Sequence, residues 1–135
     1  MIKQSLVAEK SYAFALTVIQ LVRTLRQKHE YELATQLLRS GTSIGANVEE
    51  ALAGISRPDF IAKMGIASKE ARETRYWLRL IHDSKIVPAH DTAPLIKHAD
   101  ELLRMLIAIV KTSQVRQLPQ LKTYNSKLIT KGRVS

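Results

Sequence analysis

The sequence contains no cysteine. Disulfide frameworks, thiolate metal sites and cysteine nucleophiles are therefore excluded, and the composition is compatible with a reducing compartment. Aromatic residues make up only 5% of the 135 positions, and there are five glycines and four prolines. No stretch alternates apolar and polar residues as a half-buried strand does, which leaves helical periodicity as the organising pattern. No apolar run approaches the roughly eighteen residues of a membrane span, and the opening MIKQSLVAEK lacks the apolar core of a signal peptide. A cytoplasmic protein with no membrane contact is expected.

Recognisable chemistry is also scarce. There is no G-x-S-x-G, Walker-type or dinucleotide-binding fingerprint, and Ser40 and Ser43 have no predictable histidine partner. Glu70 and Glu73 lie three apart with Glu50 able to oppose them, which invites comparison with di-iron bundles. Those sites require Glu-x-x-His pairs, none of which occurs, and His29, His82, His90 and His98 scatter toward helix ends and loops. No enzyme, metal site or cofactor is expected.

Acidic residues are missing from one region altogether. Residues 115–135 hold Arg116, Lys122, Lys127, Lys131 and Arg133 with no Asp or Glu, so they supply more than half of the net charge of +9. Such a distribution suits a polyanion, nucleic acid above all, because neutralising phosphates releases counterions. A solvated, solubilising tail is the alternative. Arg72, Arg75 and Arg79 form a second basic ridge, either a solvated face or a phosphate-contacting strip.

What is abundant is 45% hydrophobic content arranged at helical spacing, enough for one domain with a sizeable core. Four helices are predicted, at about 5–28, 31–54, 57–83 and 92–113. The first carries Val7, Phe14, Val18, Leu21 and Leu25 as a seam widened by Ala15, Ile19 and Val22. Its end is poorly marked, since the following RQKHEYE has neither Gly nor Pro.

The second helix holds the most informative stretch, Arg39–Ala51, RSGTSIGANVEEA. Its apolar positions keep register from Leu33 and Leu37 through Gly41, Ile44, Val48 and Ala51 to Ile55. This predicts one helix with a small-residue waist, Gly41 and Gly45 permitting close approach of a neighbouring backbone; a loop splitting two short helices is the alternative. Gly54 ends the helix, and Ser56, Pro58 and Asp59 supply the N-cap, first-turn proline and first-turn acid of the next. The third helix presents Phe60, Met64, Ala67, Ala71, Thr74, Leu78 and Ile81 in alternating steps of four and three.

In the fourth helix, Asp91 or Thr92 is the expected cap and Pro94 falls in the first turn. Leu95, Ala99, Leu102, Leu106 and Ile109 make its seam. Ile96, Leu103, Ile107 and Val110 form an apolar surplus that could face another subunit. The fold class is all-α, an up-down-up-down antiparallel four-helix bundle over residues 1–114, followed by an irregular basic tail over 115–135.

A polar set accompanies the waist. Arg39, Ser43, Asn47 and Glu50 share one helix face, and Lys69, Glu70, Glu73 and Trp77 share another. The charged members can pair within the bundle or across a subunit boundary, supplying register more than net stability. Tyr76 and Trp77 are candidate stacking groups for nucleic acid, although a lone helical Trp more commonly buries its area.

These residues carry a resemblance. Gln36 through Ala51 (QLLRSGTSIGANVEEA), then Asp59, Phe60, Lys63, and Ile66 through Leu80 (IASKEARETRYWLRL) are similar to the bacterial four-helix-bundle proteins called intervening-sequence proteins of large-subunit ribosomal RNA. The similarity covers about the first 110 residues. It implies ring-shaped homo-oligomers, commonly pentamers, and implies little about activity. A more distant group of bundle proteins serves reverse transcriptases of diversity-generating retroelements, holding RNA on a basic surface. The charge distribution leaves two expected functions: a non-catalytic RNA- or DNA-binding oligomer or, as the alternative, a scaffold with a protein partner and incidental positive charge.

Overall fold

The computed structural model describes the backbone of residues 2–134 and the side chains of residues 6–116. It contains α1 (Ile2–Gln27), α2 (Tyr31–Leu52), α3 (Arg57–Asp83) and α4 (Ala89–Val134). Each helix packs on the next in sequence and α1 also packs on α4, while the diagonal pairs stay apart. Short connections between successive helices force this antiparallel four-helix bundle.

The break between α1 and α2 occurs where the sequence gives no Gly or Pro. His29 adopts a left-handed conformation, φ 63°. Its N–H bonds to the Arg26 carbonyl at 3.0 Å and the Glu30 N–H bonds to the Leu25 carbonyl at 2.9 Å. These are the two bonds of a Schellman motif, usually built on glycine. Hydrogen bonding of the terminal carbonyls offsets the steric cost of a β-carbon there, which is why composition alone hid the stop.

α2 is continuous through the waist, and Leu37, Gly41, Ile44, Val48 and Ala51 are all buried. A β-carbon on Gly41 would lie 2.8 Å from Val18 Cγ1, and one on Gly45 would lie 3.4 Å from Ser11 Oγ. The small residues are therefore the place where α2 meets α1. Ser11 and Ser40 are fully buried in the same region. Ile55, expected to extend the stripe, is instead 97% exposed. α2 ends at Leu52, and the Gly54 N–H turns back to the Ala51 carbonyl at 3.1 Å, which throws Ile55 outward. The Ser56 side chain then caps α3, accepting from the Asp59 N–H at 3.2 Å.

In α3 the predicted seam is buried from Met64 through Ile81, with Phe60 half-buried at its start. α4 departs from expectation at both ends. It begins at Ala89, directly after Pro88, so Asp91 lies inside the first turn and Pro94 beyond it. Thr92 is no cap: it is fully buried, donates to the Ala89 carbonyl at 3.2 Å and meets His82 Nδ1 at 2.6 Å. At the other end the backbone stays helical to Val134, past the expected stop near 113. Apolar periodicity reports burial and not helicity, and residues 114–122 are mostly good helix formers. The apolar surplus of α4 is largely absorbed by the bundle itself, with Leu103 buried and Ile96, Ile107 and Val110 packed against the core.

Candidate functional site

The polar set around the waist divides into three parts. The first spans α2 and α3, which lie side by side. Arg39 on α2 reaches across to two carboxylates one turn apart on α3, donating from Nη1 to Glu70 Oε2 at 3.3 Å and from Nη2 to Glu73 Oε1. The indole N–H of Trp77 donates to the same Glu73 oxygen at 3.3 Å. The planar guanidinium suits this two-carboxylate bridge in a way that a lysine ammonium would not.

The second part is local. Asn47 donates to the carbonyl of Ser43 at 2.8 Å, a bond within α2 that reaches no neighbour. The third is a separate bridge between Lys63 Nζ and Glu50 Oε2 at 2.8 Å, so Glu50 does not oppose Glu70 and Glu73. Lys69 is exposed. Of the seven residues singled out, only Arg39, Glu70 and Glu73 converge. The sequence placed Trp77 on the face of Glu70 and Glu73 without giving it a hydrogen-bond partner, and did not mark Lys63 as the partner of Glu50. The i, i+4 spacing of Glu73 and Trp77 was the available signal.

Paired charges shape the titration of the network. The Arg39 hydrogen bond, assisted by the Trp77 N–H, holds the Glu73 carboxyl below its ordinary value of 4.5, and the reciprocal bond raises Arg39. A depressed carboxylate contributes stability that is fully present above pH 4.5 and lost as pH falls through the folded-state value. Because these side chains are partly exposed, the contribution is limited to about 0.2–1 kcal/mol. Melting of the parent and of Glu73→Gln from pH 6 to pH 3 checks it: the gap between them should close below pH 4.5. A gap that is the same at both ends would show that the carboxylate's charge adds no stability.

Beside the network, Tyr31, Leu33, Gln36 and Trp77 line an open groove between α2 and α3. Trp77 is half-buried against the core, with the Tyr76 ring edge-on at 5.1 Å. Among the described residues, no group of three or more His, Asp or Glu side chains is placed to hold a metal ion. None of the helices over those residues is long and apolar enough to cross a membrane.

The basic ridge of α3 is not uniform. Arg72 and Arg79 are exposed, but Arg75 turns toward α4, where its Nε lies 2.9 Å from Asp100 Oδ1 without pointing its N–H at that oxygen. One of the three candidate contacts is thus already engaged. Arg116 is exposed beside the α2–α3 connection. Lys122, Lys127, Lys131 and Arg133 lie outside the residues whose side chains are described.

A family model described as 23S rRNA-intervening sequence protein matches residues 3–108. The match includes the waist and the whole Arg39–Glu70–Glu73–Trp77 network, and stops short of the basic C-terminal stretch. A solved structure from Bacteroides thetaiotaomicron, described as a protein with unknown function from the S23 ribosomal protein family, is 39% identical. That similarity covers 81% of this chain and 98% of the other, with a TM-score of 0.77. No curated protein matches the chain. With the waist, the interhelical network and the bundle itself inside the matched region, the chain belongs to the 23S rRNA-intervening sequence protein family.

Proposed function

We propose that this protein is a non-catalytic, oligomeric bundle that binds RNA or DNA through its basic surface. The observation that carries the reading is the surplus of positive charge, +9 in 135 residues. Five of the twelve acids, Glu50, Glu70, Glu73, Asp100 and Glu101, pair with a Lys or Arg among the described residues, and over the whole chain 21 Lys and Arg outnumber the 12 acids. What is left over is cationic, and phosphates are the partner that such a surface recognises without base-specific contacts.

Assembly rests on a different feature. Ile66, Tyr76 and Leu80 are exposed on α3 at positions that share one face with Glu73, an apolar stripe beside the charged network. A second copy of this chain is the proposed occupant, in keeping with the rings that the family resemblance implies. The same stripe favours the scaffold reading, in which a different protein covers it.

Co-purification tests the function directly. Protein purified at low salt should carry nucleic acid, seen as a raised 260/280 nm absorbance ratio that nuclease treatment abolishes. A preparation free of nucleic acid that binds neither RNA nor DNA at low salt would sink the reading and leave the scaffold in its place.

A further inference from the structure

The outer face of α4 carries a ridge that neither the polar network nor the α3 arginines include. Lys97, Arg104 and Lys111 are spaced by seven, so they stand on one side of the helix, about 10.5 Å apart. All three are exposed, and none pairs with an acid among the described residues. Two acids flank the ridge, Asp100 and Glu101. Each is taken by a neighbouring helix, Asp100 by Arg75 of α3 and Glu101 by Lys10 of α1 at 3.7 Å. Asp100 is thereby turned into the α3–α4 groove, while Glu101, half-exposed at the edge of the ridge, is shared with Lys10, so three bases face one partly engaged acid and the ridge stays positive.

The chemistry of the same face narrows the ligand. Apart from His98, which lies on the α1 side beside Lys10, the exposed positions from Lys97 to Val115 carry no aromatic ring. Unpaired bases are held largely by stacking on aromatic side chains, which this face does not offer. A straight row of cations offers point charges to phosphates and nothing to base edges. Beyond the described side chains the sequence places further bases at Lys122 and Arg133, eleven residues apart and at helical spacing from Lys111.

We infer that the Lys97–Arg104–Lys111 ridge of α4 is a contact surface for the phosphate backbone of a double-stranded nucleic acid. The inference rests on the nucleic-acid reading above and adds to it the surface and the strandedness. α4 acts there as a rigid rod laid along the duplex, with its inner face fixed by Leu95, Ala99, Leu102, Leu106 and Ile109 in the core.

The test uses the full chain, fluorescently labelled duplex RNA and DNA, the corresponding single strands, and vesicles of phosphatidylserine. Two triple variants are compared with the parent. One is Lys97→Gln with Arg104→Gln and Lys111→Gln. The other removes the same charge elsewhere, Arg23→Gln with Arg26→Gln and Lys28→Gln, all exposed at the end of α1. Glutamine keeps helix propensity close to that of lysine and arginine, and circular dichroism verifies folding of both.

The ridge variant is expected to lose between about tenfold and a hundredfold in duplex affinity at about 0.1 M salt, with the log–log salt slope reduced by about 2.7. The α1 variant should stay within a few-fold of the parent. Equal losses in the two variants would reduce the effect to net charge and overturn the ridge. So would tighter binding to single strands than to duplexes, or ridge-dependent binding to vesicles alone. A parent that binds no nucleic acid is the separate failure of the broader proposal, whereas a binding parent matched by the ridge variant defeats this inference only.

Discussion

Gly41→Leu is expected to destabilise the bundle by about 1–3 kcal/mol, the usual cost of overpacking a well-filled contact. In a domain of this size that is a fall of roughly 3–15 °C in melting temperature. The cause is local: even a β-carbon at this position would meet Val18 Cγ1 at 2.8 Å and Cγ2 at 2.9 Å. Val18 is β-branched and fully buried, so it has no rotamer into which to retreat. Gly45 provides the contrast. The three atoms nearest its added β-carbon all belong to Ser11, at 3.4 Å and 3.6 Å, ordinary contact distances, so Gly45→Ala should be neutral or stabilising by up to about 1 kcal/mol of helix propensity. A Val18→Ala background should restore much of what Gly41→Ala loses, because the two changes act on one contact. Thermal melts of these variants decide the matter, and an unchanged melting temperature for Gly41→Leu would mean that α1 and α2 do not meet there.

Truncation after Ser113 is expected to have the largest effect on binding. It removes five positive charges, at Arg116, Lys122, Lys127, Lys131 and Arg133, from a chain whose net charge is +9. Every buried residue among those described lies at or before Ser113, so the bundle should fold and melt nearly as the parent does. If each lost base contacts a phosphate, the log–log salt slope of duplex binding falls by about 4.5, and affinity at about 0.1 M salt drops by tenfold at the least. The loss should be similar on unrelated sequences, as backbone contacts require. A truncated chain that binds as tightly as the parent would make this segment a solubilising tail.

Much of the bundle was legible because core positions repeat at helical spacing and turn residues stand where the helices stop. Met64 through Ile81 needed only that periodicity, and Ser56 with Pro58 and Asp59 announced the start of α3. His29 was not legible, because a side chain in the left-handed region is tolerated only through the Schellman bonds around it, and those depend on the folded path. The far end of α4 escaped for the opposite reason: its sequence stops repeating apolar residues at helical spacing, and backbone helicity by itself leaves no periodic trace.

The site was legible in part. Arg39, Glu70 and Glu73 share helix faces that the sequence displays, and adjacent packing of α2 and α3 brings them together. Which base takes which acid depends on the rotation of neighbouring helices, so the pairing of Lys63 with Glu50 and of Arg75 with Asp100 had no sequence signature. The α4 ridge could have been found from the spacing of Lys97, Arg104 and Lys111. What made it distinctive is the engagement of Asp100 and Glu101 by other helices, which only the packed bundle reveals.

The central claim, that the unbalanced positive charge of this bundle exists to hold nucleic acid, is tested most directly by a salt titration of duplex binding with the full chain. Measurable affinity is expected at about 50 mM salt, with a straight log–log line of negative slope, each unit of slope reporting about one phosphate neutralised. No binding at that salt, or an affinity indifferent to salt, would contradict it.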